Sequence, residues 1–315
     1  MKVKIGIMSA GFPKLSLAEV ATWASESGFE ALEVCCWPAG EAKDRKYGGV
    51  VHIDVESLTP ARVSEINGMM ADKGLEISAL GYYPNPLHPE PAHREHVINH
   101  LKKVIVGAEK LGVGIVGTLV GRSWNPEFTD RVWQKDIDYN LEEFTKVWPD
   151  IVKFASDHNV KVATEHCPMV WADTWPGGSN LAYSPAILHR MFEVLPDKNF
   201  GINFDPSHLI WQKIDYIRFT YDFADRIFHV HAQDMAIDEE MFYQDGVLGA
   251  GIRWQVRRVP GQGLIDWKTL ITALYDIGYD YVLNIEHEDA NWEPEEEKVK
   301  RGFLAAKKTL ELYTA

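Results

Sequence analysis

The stretch Gly201-Ile202-Asn203-Phe204-Asp205-Pro206-Ser207-His208 decides how the chain is read. An apolar, strand-like run ends in an acid, a proline and a histidine just where the backbone must turn. Three other runs end alike: Val162-Ala163-Thr164-Glu165-His166, Ile227-Phe228-His229-Val230-His231 and Val282-Leu283-Asn284-Ile285-Glu286. If the four strands point the same way round one barrel, Glu165, Asp205, His231 and Glu286 meet at one mouth. Three carboxylates and an imidazole meeting there make a divalent-metal site.

Outward from these runs, strands and helices alternate along the whole chain. Strand-like segments fall at Lys4 to Ser9, Ala31 to Trp37, Leu75 to Tyr82, Val113 to Val120, Val160 to Glu165, Phe200 to Phe204, Arg226 to His231 and Tyr281 to Glu286. Helical segments lie between them. One is opened by Ser16 as N-cap, another by Thr59 with Pro60 at the first helical position, and a third by Ser184-Pro185. The acids Glu295 to Glu297 begin a closing helix, where negative charge suits the positive end of its dipole. Buried apolar strands alternating with helices predict an α/β fold with a parallel sheet. Eight such units predict a single closed (β/α)8 TIM barrel over 1–315, with a long insertion at about 233–265 after the seventh strand. A doubly wound sheet would want a Gly-rich phosphate loop after a strand, and Gly261-Gln262-Gly263 lacks the third glycine.

Composition narrows the function. Hydrophobic residues make up 46% and charged residues 25%, as in a soluble globular protein with ample core. A net charge of −14 repels phosphate backbones, which argues against nucleic acid as a partner. Cys35, Cys36 and Cys167 form no disulfide or zinc-knuckle pattern and read as reduced thiols of a cytoplasmic protein. The start, Met1 to Met8, alternates like a strand and lacks the apolar core of a signal peptide. No run reaches the roughly 18 apolar residues of a membrane span.

The four candidate ligands follow successive strands, with separations of 205 − 165 = 40, 231 − 205 = 26 and 286 − 231 = 55 residues. Taken singly, each reads as a helix cap or a solvated loop residue. Four in four consecutive units is hard to assign to chance. His229 shares a strand face with His231 and lies deeper, and Glu288 stands in the same relation to Glu286. His166 points to the other face from Glu165 and reads either as a packed loop histidine or as a substrate contact. Such a hard donor set suits one divalent cation, Mn2+ ahead of Mg2+ or Co2+, and leaves two octahedral places for substrate oxygens.

These motifs, together with His166-Cys167-Pro168, Arg258-Val259-Pro260-Gly261-Gln262-Gly263 and Ile285-Glu286-His287-Glu288, resemble the xylose isomerase-like (β/α)8 barrel proteins, the sugar phosphate isomerases/epimerases. The resemblance covers nearly the whole chain and implies a small-molecule carbohydrate substrate. By analogy with the ketose 3-epimerases of that group, Glu165 and Glu286 would both bind metal and move the proton. Asp205 and His231 would be ligands only, while His208 and Arg258 would hold substrate oxygens. Trp37, His52, Tyr82, Tyr83 and Asn85 follow the second and third strands and read either as ordinary packing or as the lining of a sugar pocket. Trp171 and Trp175, with Pro176-Gly177-Gly178, could close over it.

The implied reaction is isomerisation or epimerisation of a keto-sugar through an enediolate, a metal cation easing removal of the proton next to the carbonyl. A lyase that expels the aglycone of a 3-keto-glycoside by β-elimination uses the same first step, and the insertion, Met235 to Arg257, would give an aglycone room. An AP endonuclease-like hydrolase shares the barrel but wants more metal ligands and a basic surface. A sugar-binding module would not need the full ligand set. Exposed aromatics in the insertion point to a lid or to a contact within a homo-oligomer.

Overall fold

In the computed structural model, which describes residues 3–40, 47–124, 133–170, 178–249 and 251–314, parallel strands close into a barrel. The barrel strands are β1 (Lys4–Met8), β2 (Ala31–Cys35), β3 (Glu76–Gly81), β4 (Ile115–Leu119), β5 (Lys161–Glu165), β6 (Phe200–Phe204) and β7 (Ile227–Ala232). Two further strands, β8 (Asp234–Ile237) and β9 (Gln255–Arg258), stand outside it before β10 (Val282–Ile285) completes the ring against β1 and β7. The TIM barrel and its single domain are as the sequence predicts.

The helices are α1 (Leu17–Glu26), α2 (Pro60–Asp72), α3 (Pro91–Leu111), α4 (Trp133–Asp157), α5 (Pro185–Val194), the short α6 (Ser207–Ile210), α7 (Tyr216–Asp222), α8 (Glu239–Asp245), α9 (Trp267–Asp276) and α10 (Glu296–Thr314). Local chemistry sets their ends. Ser16 and Glu19 form a reciprocal capping box at α1, and the Thr59 hydroxyl accepts from Arg62 N–H with Pro60 in the first turn of α2. Gly112, at φ 74°, turns the chain out of α3 in the left-handed conformation that a side chain would oppose. Glu296 and Glu297 sit in the first turn of α10.

The main core lies between barrel and helices. Phe144 and Trp148 of α4 pack on Phe200 of β6, with ring centroids 5.8 and 5.5 Å away, and Trp148 Nε1 donates to Val120 O. All three cysteines are free and buried, and among the described residues no helix is long and apolar enough to cross a membrane.

The insertion is an antiparallel hairpin of β8 and β9 with α8 between them. It has its own small core, in which Trp254 meets Phe242 edge-on at 5.0 Å and packs with Val170 and Ile252. The aromatics predicted as exposed therefore divide: Trp254 is buried, while Tyr243 is 82% exposed. Asp234 ties down the hairpin base. Its Oδ1 accepts from Ile265 N–H, and its Oδ2 accepts from Gly261 N–H and Trp267 Nε1.

Candidate metal centre

The parallel register carries Glu165, Asp205, His231 and Glu286 to the carboxyl ends of β5, β6, β7 and β10, neighbours in the ring. One ligand atom from each falls within 4.8 Å of all the others, and all four residues are buried. His231 Nδ1 lies 3.0 Å from Glu165 Oε1 and 3.2 Å from Glu286 Oε2. Asp205 is aimed by its surroundings: its Oδ1 accepts from Ser207 N–H at 2.8 Å, and its own N–H donates to His166 Nε2.

Buried charge of one sign distorts the acidities. Burial, reinforced by the Glu165 charge, pushes the Glu286 carboxyl up to about 7. Burial likewise raises Asp205 to about 6 against the pull of His208. Burial also opposes ionisation of Glu165, but His208 and His231 outweigh it and hold that carboxyl well below the usual range. His231 resists the lowering that burial imposes because Glu33, Glu165 and Glu286 surround it, and its value lies well above that of a free imidazole.

The donor set fits a divalent cation. Asp205 Oδ2 and Glu286 Oε2 are buried and accept no well-aligned hydrogen bond, meeting only the imidazole edges of His208 and His231, an arrangement that a shared cation would relieve. Three carboxylates and one imidazole are hard ligands suited to octahedral metals as well as zinc.

The remaining predicted residues separate on inspection. His208, on α6, sits beside the cluster, with Nε2 3.3 Å from Asp205 Oδ2 and 3.8 Å from Glu165 Oε1. His166 turns away into the barrel wall, packed at a tilt against Phe204 and Phe219, where burial drives its value down to about 3. It positions Asp205 from behind. Tyr83 is also behind the cluster, with its hydroxyl donating to Glu33 Oε1 at 2.5 Å. Trp37 packs edge-on against Tyr82, His52 contacts Phe12 O, and Asn85 bonds Arg122 N and O across two loops. Arg258 pairs with buried Asp289, so it braces the loop after β10. His229 lies deeper in the barrel, bonded to Asn203 and Asn284. Trp171, Trp175, Pro176 and Gly177 lie outside the described residues.

Two groups escaped the sequence reading. Arg257 precedes Arg258 on β9 and so faces the opposite way. It pairs with Glu288 at 2.7 Å and feels the charge of Glu286, which places it at the mouth. The doublet Arg257-Arg258 was the available signal, since alternation sends one arginine in and one out. Glu33, in the middle of β2, lies 2.6 Å from His231 Nε2.

Known proteins share this fold. The inosose dehydratase of Geobacillus thermodenitrificans is 23% identical over 318 residues, covering 95% of each chain. Among solved structures, the probable 3-DHS dehydratase AsbF of Bacillus anthracis superposes with a TM-score of 0.70 at 18% identity, covering 98% of this chain and 99% of that one. D-psicose 3-epimerase of Clostridium cellulolyticum, solved with D-tagatose, gives 0.67 at 15%, and the IolI protein with a bound zinc atom gives 0.67 at 17%; both matches cover 99% of each chain. The family model for xylose isomerase-like TIM barrels matches residues 21–309, and the chain belongs to that family.

Proposed function

We propose that this protein is a divalent-metal-dependent enzyme that removes the proton next to the carbonyl of a polyhydroxylated ketone and completes the reaction by β-elimination. The observation that carries the proposal is the convergence of Glu165, Asp205, His231 and Glu286 within 4.8 Å at the mouth of the barrel. When bound there, a divalent cation would draw electrons from the carbonyl and lower the cost of the negative oxygen that develops as the proton leaves. Glu165 and Glu286 come from the outer two of the four ligand strands, β5 and β10, and serve as proton acceptor and donor. His208, wedged between Asp205 and Glu165, can hold a substrate oxygen or protonate a departing hydroxyl. Arg257, neutralised by Glu288, offers N–H donors without net charge, which suits an uncharged sugar or cyclic polyol.

Elimination is favoured over isomerisation or epimerisation because full-length relatives bear the name inosose dehydratase. Return of the proton to the opposite face or to the neighbouring carbon remains a second reading, supported by the fold shared with D-psicose 3-epimerase. Both begin with the same proton transfer.

The test is incubation of the Mn2+-loaded protein in D2O with inosose, a ketohexose and a 3-keto-glycoside. Cation-dependent exchange of the proton next to the carbonyl is expected, lost by at least about 100-fold in Glu165→Gln and Glu286→Gln. Release of water or aglycone identifies the lyase, and a new epimer or aldose identifies the second reading. If both variants exchange the proton as fast as the parent, the two carboxylates are not the proton carriers.

A further inference from the structure

The buried face of His231 is as fully built as its open face. Its Nδ1 looks towards Glu165 and Glu286, while Nε2 contacts Glu33 Oε2 at 2.6 Å. The other Glu33 oxygen accepts from the Tyr83 hydroxyl at 2.5 Å, and that hydroxyl accepts in turn from Asn203 Nδ2. Asn203 Nδ2 also lies 3.0 Å from His231 Nε2, but the carboxylate contact is shorter and carries the charge.

Space for this pair has been made by two glycines on adjacent strands. A Cβ on Gly81 would stand 2.6 Å from Glu33 Oε1, and one on Gly117 would overlap the Tyr83 hydroxyl. Neither glycine has a positive φ, so close approach rather than backbone conformation accounts for both. An ionisable group buried this deeply is costly unless it is paired, and here both carboxylate oxygens are.

From this we infer that Glu33, braced by Tyr83 in the cradle of Gly81 and Gly117, is the positioning residue of the metal centre. It holds the proton of His231 on Nε2 and so presents Nδ1 as the metal-binding atom. This inference rests on the metal-dependent reading of the site. Glu33 is not itself a ligand. Its Oε2 lies 2.6 Å from Nε2, a hydrogen-bonding distance, on the opposite edge of the ring from Nδ1, which faces Glu165 and Glu286. Although Glu33, His229 and His231 also gather within 4.8 Å, both His229 ring nitrogens are engaged, by Asn203 and by Asn284 with Ser78.

The experiment is Zn2+ and Mn2+ titration of the parent, Glu33→Gln and Tyr83→Phe by calorimetry, paired with 15N NMR of histidine-labelled, Zn2+-loaded parent protein. Expected are one cation per chain, an affinity about 10- to 100-fold weaker in Glu33→Gln with a smaller loss in Tyr83→Phe, and a His231 imidazole metallated at Nδ1 and protonated at Nε2. Equal affinity in parent and Glu33→Gln, a second cation per chain, or metallation at Nε2 overturns the inference. The NMR arm needs no variant, so a Glu33→Gln protein that fails to fold leaves it standing as the test. A parent that binds no cation refutes the metal-dependent reading itself, which separates the two failures.

Discussion

The Gly117–Tyr83 contact allows the barrel interior to be tested without touching a ligand. In Gly117→Ala the new methyl overlaps the Tyr83 hydroxyl and stands 3.0 Å from Cζ and 3.4 Å from Glu33 Oε1. Tyr83 has little room to retreat, because its hydroxyl is held by Glu33 and by Asn203. Overpacking of this kind costs about 1–3 kcal/mol, reduced by the roughly 0.4–1 kcal/mol that alanine gains by restricting the unfolded chain. Tyr83→Phe removes the clashing atom but leaves Glu33 Oε1 without its donor, at about 1.5–3 kcal/mol for a bond to a charged group. In the double variant the methyl occupies the space the oxygen left, so the worst of the clash is relieved and only the tight approach to Cζ remains. The two effects should then fall short of their sum by more than about 1 kcal/mol. Urea-unfolding midpoints of the four proteins, read at a common slope and in the presence of chelator, give the cycle. Additivity within about 0.5 kcal/mol would falsify the claim that Gly117 is there to make room for the hydroxyl.

Three other outcomes follow from the same geometry. Glu286 and Asp205 have carboxyls raised to about 7 and about 6, so without a cation the folded chain holds protons that the unfolded chain has released. Their contribution to stability is full below ordinary carboxylate values and is lost as pH rises through about 6 to 7. A cation displaces those protons, and the thermal shift on adding Mn2+ should therefore be larger at about pH 7 than at about pH 5; equal shifts contradict the assignment. Arg257→Met should lower kcat/KM at least about tenfold with little loss of stability. Arg258→Met, by stranding buried Asp289, should instead cost about 3 kcal/mol in unfolding measurements. Asp234→Ala leaves the donors of Gly261, Ile265 and Trp267 without their acceptor, and a loss of about 3 kcal/mol in chemical denaturation is expected.

The legible and illegible parts of this chain differ for a physical reason. The convergence of Glu165, Asp205, His231 and Glu286 was legible because in a parallel barrel the strand ends share one mouth, so an acid or histidine closing an apolar run has a position as well as a type. The hairpin was visible only as an interruption, since its hydrophobic residues serve the small core around Trp254 and not the barrel. For Tyr83 and His166 the sequence leaves packing and substrate contact both open, because it places them beside the mouth without naming their neighbours. The structure turns them to the back of His231 and Asp205. Glu33 was hidden differently. A carboxylate within Ala31–Cys35 looks like a lapse in an apolar strand until its partners on β3, β4 and β7 are known. A sign of it was nevertheless present. Gly81 ends β3 and Gly117 sits inside β4, where glycine weakens a strand and offers nothing to pack. Two such residues in adjacent strands mark a cavity cleared for something large and polar. The candidates tall enough to enter from neighbouring strands were the tyrosine after β3 and the lone acid in β2.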